Sequence, residues 1–341
     1  MAFLSDKAEW IRARMTYIPA ETAAFLGDIS GLDILDVGCG DMVADIGLLS
    51  LGPKHVTGVD IHKCDHSVEK EAARDASSAG FTVPSDYASR LSYTAYDGRA
   101  LPFADNCFDL VFAWAIFEHV QDVPAVLREA RRVVKPEGRI FTVVYPWFHC
   151  YTGSHLTDFI KEPYFHLTQS NEWTQNRLQE YVAAHPEAAA KVSRIRGEYL
   201  TLNRYSARMF LLAALDAGLV VERLHCHLDE EHAADAPETV PVADLIATGT
   251  TVLFHPAKRP LRKIESSRYI DPLPRRVREL EQQVADLKVE LAAERALRDE
   301  FDEESYLKAN PDVAQAVRNG ALPSGRDHFL LYGKREKRRL H

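Results

Sequence analysis

From about residue 20 to residue 257, short apolar runs alternate along the chain with stretches of helical spacing. Runs at residues 33–37, 56–60, 91–96, 108–113, 139–144, 219–226 and 250–255 have the length and the β-branched and aromatic content of strands. Between the fourth and fifth runs, Val123, Val126, Leu127, Ala130, Val133 and Val134 recur at helical spacing and stop at Lys135-Pro136-Glu137-Gly138. Residues 206–217 predict another helix, closed by Gly218. Five strands joined by crossovers, then two in a hairpin-like relation, predict an α/β fold. Its sheet has seven strands, mostly parallel with one antiparallel, and carries helices on both faces. Residues 147–205, rich in aromatics and histidines, contain no strand pattern. A long excursion between strands 5 and 6 of a compact domain is expected to be functional, here a substrate-binding insertion.

Downstream the pattern changes. Residues 258–274 lack periodicity and read as a linker after a domain spanning 1–257. Residues 275–300 predict a helix on which Val277, Leu280, Val284, Leu287 and Leu291 alternate spacings of three and four, the seam of a coiled coil, until Glu294 breaks it. A short coiled coil joining a homodimer and a helix packed on its own protein both satisfy this seam. Residues 301–341 predict a small helical module, in which Asn310 and Pro311 begin one helix. Lys334, Arg335, Lys337, Arg338 and Arg339 near the end are expected to be a solvated tail.

Composition narrows the partners. Hydrophobic residues make up 46% and charged residues 27% of the 341, a balance that supports a real core. A net charge of -9 argues against a general nucleic-acid binder, because phosphate contacts need a basic surface. The five cysteines are scattered with no CxxC pair, which points to a reducing compartment. Asp6, Lys7, Glu9, Arg12 and Arg14 interrupt any signal-peptide core, and no apolar run nears the roughly 20 residues of a membrane span. A cytoplasmic location is expected.

The chemistry gathers at the strand ends. Ile34-Leu35-Asp36-Val37 runs into Gly38-Cys39-Gly40, where missing Cβ atoms let a ligand approach the backbone. Val43 stands where a dinucleotide fingerprint wants its third glycine, and no Walker Lys-Ser/Thr follows. The second strand ends at Asp60, twenty positions after Gly40, where a carboxylate accepts both hydroxyls of a ribose. The third ends at Tyr96-Asp97-Gly98, where Asp97 is able to accept from an exocyclic adenine amine. The fourth continues through Trp114, Ile116, Phe117, Glu118 and His119. These ends share one edge of a parallel sheet, the ligand edge of doubly wound folds.

Asp36-Val37-Gly38-Cys39-Gly40, Gly58-Val59-Asp60, Asp97-Gly98 with Leu101-Pro102-Phe103, Phe108-Asp109-Leu110-Val111, Phe117-Glu118-His119-Val120 and Val133-Val134-Lys135-Pro136-Glu137-Gly138-Arg139 follow one another in order. This order resembles the Rossmann-like class I S-adenosylmethionine-dependent methyltransferases, especially the type 11 or UbiE-like group, over residues 33–145. The resemblance implies S-adenosylmethionine as cofactor, with Asp36, Gly38 and Gly40 along its methionine and ribose portions. It further implies Asp60 on the ribose and Asp97 with Gly98 on the adenine, and Trp114 is expected beside the cofactor. Met42 stands where the family often has a third glycine, which leaves the path of the loop open.

A sulfonium methyl needs alignment with a nucleophile, and a hydroxyl acceptor also benefits from a base. Candidate catalytic residues are His155, Asp158 and His166. If helical, His155 and Asp158 share a face, so the carboxylate could orient the imidazole. His119 is expected to line the site in a structural role. His149, His155, Asp158 and His166 match no recognised metal motif, so no metal is expected.

The insertion resembles one in methyltransferases of bacterial surface-polysaccharide gene sets, through Gly153-Ser154-His155 with Asp158, and Glu162-Pro163 with His166-Leu167. The segment from Tyr306 through Asn310-Pro311-Asp312 to His328 and Gly333 resembles a module appended to bacterial glycan enzymes, although Lys337 departs from it. These features favour O-methylation of a sugar or glycan precursor. A quinone or lipid methyltransferase, and a non-catalytic scaffold acting through the C-terminal module, remain as alternatives.

Overall fold

The computed structural model describes residues 7–62, 67–229, 232, 235–258, 302–320 and 322–329. They fall into two units, one up to residue 258 and one from residue 302. Residues 275–300, with the predicted coiled coil, and the basic residues 334–339 lie outside the described residues.

In the first unit, the strands are β1 (Asp33–Val37), β2 (His55–Asp60), β3 (Leu91–Ala95), β4 (Phe108–Trp114), β5 (Val134–Val144), β6 (Leu219–Leu228) and β7 (Ala247–Pro256). They form one sheet in the order β3-β2-β1-β4-β5-β7-β6, with β7 alone antiparallel to its neighbours. The strands overlap the seven predicted ones. β5 departs most, beginning at Val134 directly after the helix Val123–Val133. Val134 pairs with Phe108 and Arg139 with Leu110, so the Lys-Pro-Glu-Gly stop bulges out of the ladder between them.

The α/β architecture follows from burial on both faces of the strands. Leu35, Val111 and Ala113 pack with Val126 and Leu127 of the helix Val123–Val133 and with Phe210 of the helix Ala207–Asp216. Ile34, Leu110 and Phe112 face the other way, onto Ile18, Ile46 and Ala72 of the helices Ile18–Leu26, Val43–Leu48 and Val68–Ser78. Leu127 is fully buried, a position where truncation to Ala costs about 2–5 kcal/mol. The ligand edge of the sheet therefore stands on two packed layers.

The insertion between β5 and β6 is helical and has its own core. Phe148, Leu156 and Phe165 pack with Leu178 of the helix Asn171–Ala184 and with Val192 and Ile195 of the helix Ala189–Thr201. Trp147 roots it to the sheet, its indole Nε1 donating to the Thr250 hydroxyl at 3.0 Å. Among the described residues, no helix is long and apolar enough to cross a membrane.

Among the described residues, the second unit has three short helices, Glu303–Ala309, Pro311–Arg318 and Gly325–His328. Tyr306, Val313 and Phe329 form its core, and the Glu303 carboxylate accepts from the backbone N–H groups of Gly325 and Arg326.

Candidate functional site

The glycine turn after β1 is fixed by close backbone approach. Gly38 has φ of 79°, and a Cβ there would stand 2.4 Å from Cγ2 of Ile116, so no side chain fits. Backbone N–H groups of Gly38 and Cys39 donate to the Val59 carbonyl, and that of Gly40 to Oδ2 of Asp60 at 3.0 Å. A Cβ on Gly40 would meet nothing within 4 Å, so the turn opens to a ligand at this point. Met42 takes φ of 60°, the left-handed conformation a glycine would adopt, and its side chain is fully buried. Burial thus offsets backbone strain, and the missing third glycine leaves the turn left-handed at that position.

The acidic ends of β2 and β3 flank this turn. Asp60 holds Gly40 with one oxygen, while its Oδ1 accepts from the His62 N–H at 3.1 Å and lies 2.6 Å from the His62 Nδ1. Ile61 is exposed, with Cγ2 3.2 Å from where a Gly98 Cβ would stand, so an apolar side chain and a bare glycine lie side by side. Oδ1 of the exposed Asp97 accepts from Arg99 and Ala100, and these backbone hydrogen bonds hold its carboxyl below the usual range.

Two further residues, Arg14 and Asp45, enter from helical elements around the turn. Residues Ala13–Tyr17 form a turn of π-helix, a local irregularity frequent at functional sites. From it, Arg14 stacks on Trp10, with its guanidinium carbon 3.5 Å from the ring centroid. Burial draws that guanidinium down to about 10, against the pull of Asp41 and Asp36. Gly47 makes the approach possible, since a Cβ there would stand 2.7 Å from the Arg14 carbonyl. Asp45, in the first turn of the helix Val43–Leu48, is fully buried against Asp36 at the end of β1. Trp114, the last residue of β4, meets the ring of Tyr17 edge-on at 6.0 Å.

Beyond β4 the insertion is stitched onto the following loop. Asn203 Nδ2 donates to the carbonyls of Phe117 and Val120, and its own N–H donates to the Glu118 carbonyl. Glu118 is buried with Oε2 unpartnered among the described residues, and burial pushes its carboxyl up to about 8. His119 Nδ1 lies 2.8 Å from the Thr201 hydroxyl, which donates its own proton to the Glu198 carbonyl. Thr201 is therefore the acceptor, His119 carries its proton on Nδ1, and the Nε2 lone pair is left to accept.

Among the predicted catalytic residues, His155 lies beside His119, ring centroids 5.8 Å apart. Burial, then His119 and His166, bring its imidazole down to about 3. His155 and Asp158 share no helical face: His155 is in a turn with φ of 60°, and the exposed Asp158 pairs with Lys191 at 3.0 Å. His166 is buried, its Nε2 donating to the Phe148 carbonyl at 2.8 Å, and burial lowers it to about 4. Among the described residues, no three His, Cys, Asp or Glu side chains gather as a metal-ligand set. Arg14, Asp45 and Ile61 are absent from the sequence-predicted set. The only sequence signal for Asp45 is an acidic residue at an apolar position behind the glycine turn.

Residues 35–142 match the family model described as a methyltransferase domain. A 27-O-demethylrifamycin SV methyltransferase of Amycolatopsis mediterranei is 28% identical over 138 residues, 40% of this chain and 47% of that protein. A sterol 24-C-methyltransferase of Gibberella zeae is 34% identical over 127 residues, 36% of this chain and 29% of that protein. A ubiquinone biosynthesis O-methyltransferase of Methylobacterium nodulans is 32% identical over 135 residues, 38% of this chain and 49% of that protein. The chain spans about half or less of the length of these curated relatives. The glycine turn, the acidic strand ends and the strand order all lie on or around residues 35–142, the segment that matches the methyltransferase domain.

Proposed function

We propose that this chain transfers a methyl group from S-adenosylmethionine to a hydroxyl of a sugar or glycan precursor in bacterial surface-polysaccharide biosynthesis. The observation that carries a hydroxyl acceptor is the His119–Thr201 contact. It leaves a neutral imidazole lone pair on the loop after β4, at the sheet edge that bears the glycine turn. The site's donors and acceptors suit the cofactor. Gly40 leaves backbone open, Asp60 offers carboxylate lone pairs, Ile61 and Gly98 offer an apolar slot, and Arg14 offers a cation for a carboxylate.

When bound, the cofactor supplies an electrophilic sulfonium methyl. Asp60 would hold ribose hydroxyls, and Asp97 would accept from the adenine amine. Arg14 would pair with the methionyl carboxylate. His119 Nε2 would accept the acceptor's hydroxyl proton as its oxygen takes the methyl and the methyl–sulfur bond breaks, with S-adenosylhomocysteine as the leaving group, and the Nδ1 bond to Thr201 orients the ring. His155 and His166, held neutral by burial, line the acceptor side. The Thr201 contact orients the His119 ring, so the base role goes to His119.

The glycan acceptor is supported by the resemblance of the insertion and the C-terminal module to those of bacterial glycan enzymes. The rifamycin and ubiquinone relatives bear O-methylation names, which supports a hydroxyl acceptor. The ubiquinone relative also favours a second reading, a quinone precursor. A labelled-methyl screen over nucleotide sugars, oligosaccharides and quinone precursors separates the two. Label in quinone precursors alone would overturn the glycan reading, and no binding of S-adenosylmethionine in calorimetry would overturn both.

A further inference from the structure

Asp36 and Asp45 make a buried acid pair behind the glycine turn. Asp36 is 4% exposed and Asp45 not at all. Among the described residues, no other residue's N–H or O–H group donates to either oxygen of Asp45 or to Oδ1 of Asp36. Two bare carboxylates about 4 Å apart repel by about 4 kcal/mol even at an effective dielectric constant of about 20, before the cost of burial. Such a pair persists in a folded core only with a proton or a cation between its members.

The surrounding charges favour a cation. Among the described residues, Arg14, on the π-helical turn, is the basic group that acts on Asp36. Against it stand Asp60 at the end of β2, which acts on Asp36, and Asp41 in the turn, which acts on Asp45. The neighbouring Cys39 thiol is pushed up by burial and by these same carboxylates, so it stays neutral. Burial is the largest cause raising both members of the pair, and it brings Asp36 to about 7. The methionyl end of S-adenosylmethionine carries an ammonium and a carboxylate. Arg14 matches the second and the acid pair matches the first.

We propose that Asp36 and Asp45 share one proton in the free protein and release it when the cofactor's ammonium enters beside them. This makes Asp45 a positioning residue that acts on the cofactor through Asp36, and cofactor capture a proton exchange. The inference rests on the S-adenosylmethionine reading above.

Titration calorimetry of the full chain at about pH 6.5, in two buffers of different ionisation enthalpy, counts the protons released. S-adenosylmethionine and S-adenosylhomocysteine should each release most of one proton. Methylthioadenosine, which lacks the ammonium and the carboxylate, should release none. Affinity for the first two should rise about seven- to tenfold between about pH 5.5 and about pH 6.5, and that for methylthioadenosine should stay level. Asp45→Asn keeps the shape and can donate to Asp36, so it should abolish both the release and the pH dependence. Undiminished release in Asp45→Asn, or equal release with methylthioadenosine, overturns the inference. Binding to the wild type without proton release also overturns it, needs no variant, and leaves the cofactor reading standing. No binding of any of the three ligands overturns the cofactor reading and this inference with it.

Discussion

His119 and Thr201 stand 82 residues apart in the chain, and a 2.8 Å hydrogen bond joins the loop after β4 to the end of the insertion. Thr201 spends its own proton on the Glu198 carbonyl, so the bond sets the tautomer of His119. Gln121 adds a second stitch, its amide donating to the Thr201 carbonyl at 2.8 Å.

From this contact, His119→Ala should lower kcat by about 100- to 10,000-fold, the usual contribution of a general base, with cofactor affinity unchanged. Thr201→Val should cause a smaller loss, because the ring then also populates the other tautomer. Single-turnover methyl transfer alongside cofactor titration measures both. Unchanged kcat in His119→Ala would remove this residue from the mechanism.

The same residue sets a pH dependence. A base must be neutral to accept a proton, and burial lowers His119 below its ordinary value of 6.5. Activity should therefore hold down to that pH and fall only below it, as the imidazole gains its proton. A pH–kcat profile with an acid limb well above 6.5 would contradict this assignment.

Asp60→Ala should weaken S-adenosylmethionine, S-adenosylhomocysteine and methylthioadenosine alike, by about 10- to 100-fold. Hydrogen bonds to a charged group contribute about 1.5–3 kcal/mol, and the three ligands share the ribose. Calorimetry gives the three affinities, and equal binding to wild type and variant would place the ribose elsewhere.

Arg14→Ala should weaken the two ligands that carry a methionyl carboxylate by about tenfold and spare methylthioadenosine, a loss in the range of a charge-assisted hydrogen bond. Arg14→Lys should restore only part, since an ammonium lacks the planar fork that meets a carboxylate with two bonds. A uniform loss across the three ligands would mean that the π-helical turn acts by packing alone.

Met42→Gly should destabilise the fold despite relieving a left-handed backbone. Removing a buried side chain of this size costs about 2–5 kcal/mol, and the strain recovered is about 1–2 kcal/mol. Denaturant unfolding should give a net loss centred on about 2 kcal/mol. A gain would show that strain outweighs packing here.

What the sequence determined by itself is what depends on near neighbours. Strand positions follow from runs of residues buried on both faces, and β1 matches its predicted bounds, Asp33–Val37. The glycine turn and the acidic ends at Asp60 and Asp97 were legible because strand ends in such a sheet meet at one edge. Helical spacing at His155 and Asp158 misled, because the chain turns left-handed at His155 and carries Asp158 toward Lys191. Only the tertiary structure set Arg14 near Asp36, brought Asp45 against that same carboxyl, and gave His119 its partner. Each of these depends on packing between elements distant in the chain, where Gly47 admits the π-helical turn and Asn203 ties down the loop after β4. Periodicity reports which face of an element is buried; it carries no record of what lies against that face.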